Sequence, residues 1–95
     1  MSRPRRVGLP WYDPGTYAAL RASLVDGAKL PALYDTWRIA TEQMEREVQR
    51  SGVEVVRVPI EPDAFAAWCA RSGLPSDRAT RARYAAEILA ADAAA

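Results

Sequence analysis

Cys69 is the only cysteine in this chain, and there is no histidine. Those two facts decide most of the available chemistry. Without imidazole there is no Ser-His-Asp or Cys-His machinery, no histidine acid–base catalysis and no histidine metal ligand. A single thiol cannot build a thiolate metal centre. As a nucleophile Cys69 is badly placed, in the last turn of a helix, where the negative dipole end disfavours a thiolate. Its place on an apolar stripe beside Trp68 suits a small buried hydrophobe. Glu42, Glu45 and Glu47 sit among arginines on one helix, so their charges are balanced on a solvated face. Glu61 and Asp63 lie near a strand end, and Asp63 serves the first turn of a helix. The five glycines are scattered, and none opens a Walker or Rossmann phosphate loop. The expectation is a non-enzyme without a metal or cofactor.

The elements that would carry any other function centre on Val53-Glu54-Val55-Val56-Arg57-Val58-Pro59-Ile60, the one convincing strand. Val56, Val58 and Ile60 point one way and Val53, Val55 and Arg57 the other. Pro59 has no N–H to donate to a ladder, which confines it to an edge or a strand end. A lone strand cannot satisfy its own backbone. Three sources of a partner are open. A second copy can pair antiparallel across a two-fold axis. The alternating Val7–Leu9 segment can pair within the chain. A strand from another protein can add to the edge. A bare Val-rich edge invites aggregation, which favours the homodimer. Val53, Val55, Arg57 and Pro59 are then the assembly residues.

Four helices surround the strand in this reading. Asp13-Pro14 starts the first, with Tyr17, Leu20 and Leu24 on one face and Asp26-Gly27 as its stop. Leu30-Pro31 starts the second, with a stripe of Leu33, Trp37, Ala40, Met44 and Val48. Its polar face offers the i,i+4 pairs Arg38–Glu42 and Glu42–Arg46. Pro62-Asp63 starts the third, which aligns Phe65, Trp68 and Cys69 and ends at Gly73, with Leu74 placed for a Schellman contact. Ser76-Asp77 caps the fourth, with Ala82, Ala85, Ile88 and Leu89 inward and Arg78, Arg81 and Arg83 at the rim. The predicted core is Trp37, Met44, Val56, Val58, Ile60, Phe65, Trp68 and Cys69.

The fold class expected is therefore mainly α: helix-helix-strand-helix-helix with one β-strand, paired across a homodimer. Residues 1–12 read as an extended basic lead-in carrying Arg3, Arg5 and Arg6, and residues 13–95 as a single small helical domain. Ninety-five residues with a net charge of +1 give one modest core and no bulk attraction to nucleic acid or acidic membranes. No apolar run approaches the ~20 residues of a membrane span. No apolar region follows the basic residues as in a signal peptide. One cysteine fits a reducing compartment. A cytoplasmic, soluble protein is expected.

Two resemblances bear on function. The strand followed by two helices, joined at Gly73-Leu74-Pro75-Ser76, resembles the ribbon-helix-helix family of DNA-binding repressors over Val53 to Leu89. That resemblance implies groove-facing Val53, Val55 and Arg57 and a phosphate held near Ser76 to Arg78. The phrases Leu-Pro-Ala-Leu-Tyr-Asp-Thr-Trp and Phe-Ala-Ala-Trp-Cys, with Asp-Arg-Ala-Thr-Arg-Ala-Arg-Tyr-Ala, are similar to small uncharacterised bacterial proteins, a likeness that implies no activity. The reading favoured is a small interaction or accessory module working as a homodimer. The alternative is a ribbon-helix-helix-like DNA-binding regulator, with Arg57, Ser76 and Arg78 as its nucleic-acid contacts.

Overall fold

The computed structural model describes residues 5–94. Its order is β1 (Arg6–Trp11), α1 (Tyr17–Ser23), a 3-10 turn (Gly27–Lys29), α2 (Tyr34–Arg50), β2 (Glu54–Pro59), α3 (Pro62–Ser72) and α4 (Arg78–Ala94). The molecule is mainly helical, as expected, but the strand count differs. Part of the predicted lead-in is itself a strand; its first four residues lie outside the described region.

β1 pairs with β2 in parallel, with Val7 opposite Val55, Gly8 opposite Val56 and Trp11 opposite Pro59. The partner that β2 requires is thus the Val7–Leu9 segment of its own chain. Parallel strands need a long crossover, and residues 12–53 provide it through α1 and α2. The Arg6–Glu54 ion pair, 2.9 Å, ties the strand starts together, and the Arg5 carbonyl accepts from Glu54 N at 2.7 Å.

The pleat assigns each face to a helix. Gly8 faces α4 so closely that a Cβ there would stand 2.8 Å from the Ala85 carbonyl oxygen. One residue out of phase, Trp11 meets Trp37 of α2 edge-on, with ring centroids 4.9 Å apart. The sheet is therefore sandwiched between α4 and α2, which explains why both faces of β2 are apolar. Val58 and Ile60 are buried, while Val56 is only half-buried.

Two aromatic groups fill the core. Tyr12, Tyr17, Tyr34 and Trp37 cluster beside Trp11, and Phe65 packs against Tyr84 and Trp68 on the other side. Phe65, Cys69 and Trp37 are buried as expected. Trp68 is half-buried against the core, its indole N–H donating to Glu87 at 3.1 Å. Met44 is 38% exposed and Leu33 70% exposed, so neither belongs to the core. The inward face of α2 keeps Trp37 from the predicted stripe but replaces Met44 with Glu45. Glu45 is accommodated because Arg57 on β2 supplies a counter-charge there.

α1 begins at Tyr17, because Asp13 spends its carboxylate on a tight turn to Gly15 N. α2 begins at Tyr34 instead of Leu30; the Pro31 and Leu30 carbonyls are held by Tyr17 Oη and Arg21 Nε. α3 matches its expected range. Glu61 caps its first turn, Gly73 closes it at φ +66°, and Leu74 N donates to the Cys69 carbonyl as a Schellman motif requires. On α4 the buried residues are Thr80, Arg81, Tyr84 and Ala85. Arg81 belongs to the interior, contrary to its predicted rim position, while Ala82 and Ile88 face outward.

Candidate functional site

Backbone alternation along the ladder fixes which groups are left to pair with others. Glu54 N and Ile60 N both donate to β1, so the even-numbered amides of β2 point inward. Val55 and Arg57 then turn their N–H and C=O groups outward, and Pro59, which has no N–H, falls on the same outer edge. On β1 the same alternation sends Arg6, Gly8 and Pro10 outward. Each edge of this two-stranded sheet thus carries one proline and open backbone groups.

The β2 edge is polar at its flank. The Arg57 guanidinium makes a two-pronged contact with Glu45, both bonds 2.8 Å, and lies 3.7 Å over the Trp11 ring. Glu42 approaches at 3.6 Å and is itself bound to Arg38 at 2.8 Å. The predicted Arg38–Glu42 pair forms, whereas Glu42 turns to Arg57 and not to Arg46. The Arg57 hydrogen bonds hold the Glu45 carboxyl below its ordinary range despite the opposing effect of burial. Cation–π contact and a bidentate pair make Arg57 a fixed structural group.

The β1 edge is apolar at its flanks. One groove of about 500 Å³ runs beside Val7 and Gly8 under Ala82, Ala86, Leu89 and Ala90 of α4. It leads into a cleft of about 540 Å³ whose apolar walls include Leu9, Trp37 and Met44. That cleft also takes in Lys29, Arg78 and Arg81 against one carboxylate, Asp26.

Asp26 is committed within the chain. It accepts from Arg81 Nη1 at 2.7 Å and from the Arg78 backbone N–H at 3.0 Å. Arg81, 4% exposed, also donates to the Ser76 carbonyl at 3.0 Å. The Arg81 hydrogen bond keeps the Asp26 carboxyl below its usual value. Burial raises the Tyr12 phenol above its ordinary value, and Arg81 offsets only part of that. The pair joins the α1–α2 connection to the start of α4, reinforced by Val25 N donating to Ser76 Oγ at 2.9 Å.

Sequence reasoning picked Val53, Val55, Arg57 and Pro59 as the partner strand; Val55, Arg57 and Pro59 lie within β2, Val53 lies just before it, and the Arg57 side chain packs against Glu45 of α2. It named the Val7–Leu9 segment as one of three partners for the strand but favoured a second copy, and it did not single out the outward groups of Gly8. It also missed Asp26 and Arg81, whose partnership spans residues far apart in the chain. The proposed nucleic-acid contacts do not converge: Arg57 lies with Glu45, and Ser76 and Arg78 lie with Val25 and Asp26. An aspartate of the same chain already occupies the amide at the start of α4. Cys69 is buried, and burial raises its thiol above the ordinary value, which suits packing better than reactivity. Among the described residues no group of three or more His, Cys, Asp or Glu side chains could hold a metal ion. No helix of the described region is long and apolar enough to cross a membrane.

The fold defines a mainly helical domain around a two-stranded parallel sheet, with no third strand on either edge among the described residues. The chain belongs to the family described as a domain of unknown function, DUF8829, whose model matches residues 4–95. No curated protein and no solved structure matches it.

Proposed function

We propose that this chain is a non-enzymatic interaction module that assembles as a homodimer through the outer edge of β2. The carrying observation is the outward phase of Val55 and Arg57, set by the Glu54 and Ile60 hydrogen bonds to β1. Two copies of β2 run antiparallel with Val55 opposite the partner's Arg57, so each amide meets the other's carbonyl in both directions. Pro59 falls at the end of this register opposite Val53, where its missing N–H costs least. The result is a four-stranded sheet in the order β1-β2-β2-β1, past the point at which a two-stranded ribbon is marginal. A buried, reduced Cys69 is in keeping with action in the cytoplasm. The DNA-binding alternative lacks comparable support, since the one arginine of its groove-facing strand, Arg57, is held by Glu45.

Light scattering over a wide dilution range tests the reading. A mass of two chains that persists on dilution is expected. Val55→Pro removes an outward N–H and none of the bonds to β1, so it should give a folded monomer. A wild-type chain that is monomeric at every concentration overturns the assembly.

A further inference from the structure

The two edges differ in what surrounds them, and the β1 edge is built to receive something other than a second copy. Gly8 turns its N–H and C=O outward along the floor of the groove. Gly8 is required there by the close approach of Ala85, so the strand lies tight under α4. Small side chains at Ala82, Ala86 and Ala90 leave one wall low, and Met44 of α2 stands on the other side. An added strand would therefore find main-chain partners below and apolar surface on both flanks, the combination by which extended peptides bind sheet edges.

Charge selects the occupant. Arg81 is neutralised by Asp26, which leaves Lys29 and Arg78 as surplus cations at the end of the groove beside Pro10. Among the described residues neither side chain makes an ion pair. A second β1 laid antiparallel would bring Arg5 and Arg6 towards these cations, so self-pairing is disfavoured on this edge. We infer that the β1 edge binds an extended, apolar segment of a different polypeptide that ends in a carboxylate, with the carboxylate set between Lys29 and Arg78. A segment running parallel to β1 places its own C-terminus at that end. This site is separate from the β2 edge, and either can fail without the other.

Fluorescence anisotropy with the full chain tests it. The probe is a labelled peptide of alternating valine and threonine ending in aspartate with a free C-terminus; the control is the same peptide ending in asparagine amide. The acidic peptide should bind saturably, and the amidated control about tenfold more weakly. Lys29→Glu with Arg78→Glu, both exposed positions, should weaken the acidic peptide by at least about tenfold and remove the preference over the control. Ala86→Glu, on the exposed face of α4, should block both peptides while helicity is retained. The Gly8 amide resonance should shift on binding. Failure of the acidic peptide to bind, equal binding of both peptides, or binding unaffected by Ala86→Glu each overturns the inference.

Discussion

Replacing Asp26 with alanine should be among the most damaging single changes to this fold that leave the aromatic core untouched. The carboxylate faces a guanidinium that is 4% exposed, at 2.7 Å, and no other acidic side chain pairs with Arg81 among the described residues. Removing one member of a buried ion pair costs about 3–5 kcal/mol, because the remaining charge is left without compensation. The Ser76 carbonyl still accepts from Arg81, which holds the loss towards the lower end. The Arg78 N–H loses its acceptor as well, adding roughly 1 kcal/mol. Against a total stability of about 5–15 kcal/mol for a domain of this kind, the variant approaches the folding threshold. Urea unfolding followed by circular dichroism measures it, and thermal melting should fall by about 12 °C or more. Adding Arg81→Met should restore part of the loss, since the orphaned charge is then gone.

The same pair has a pH signature with a definite sign. Asp26 is depressed in the folded chain, chiefly by its hydrogen bond from Arg81. Its contribution is complete above the ordinary carboxylate value of the unfolded chain and is lost as pH falls through the lower folded value. Glu45 and Asp77 are also depressed, so acid weakens the fold through several groups and the wild-type curve alone is not diagnostic. The informative quantity is the gap between wild type and Asp26→Ala, which should narrow in acid. A gap under about 1 kcal/mol at neutral pH, or one that is unchanged in acid, refutes the assignment of Arg81 and Asp26 as a coupled structural pair.

Gly8→Ala should destabilise by about 1–3 kcal/mol in the same urea assay, since its Cβ would press on the backbone of α4, which cannot yield as a flexible side chain would; a neutral result would show that α4 does not sit tightly on β1. Phe65→Ala should cost about 3–5 kcal/mol and Met44→Ala less than about 1 kcal/mol, because Phe65 is 1% exposed and Met44 is open to solvent. Equal costs at the two sites would mean that the burial of α2 and α3 is wrongly placed.

Local signals were legible in the residues themselves. The Pro62-Asp63 start and Gly73 stop of α3 act within a few positions, so sequence alone located that helix, although the cap proved to be Glu61. The strand predicted over Val53–Ile60, observed as Glu54–Pro59, was visible as a β-branched alternation, and its period of two separated Val56, Val58 and Ile60 from Val53, Val55 and Arg57. The helix stripe of α2 was legible only in part. Periodicity favours Met44 over Glu45, and the choice went to Glu45 because Arg57, twelve residues on, brings a charge to that face.

Sequence by itself determined that imidazole and multi-thiolate chemistry are lacking in this chain, where one strand must lie and that this strand needs a partner, because composition and short-range spacing express those properties directly. Tertiary structure alone decided who the partner is. β1 contains Gly8 and Pro10, residues that weaken any strand signal, yet the first admits α4 and the second stands harmlessly on an open edge. It also decided that Arg81 is interior, since a guanidinium can be buried only where a carboxylate from elsewhere in the chain meets it, and Asp26 is 55 residues away.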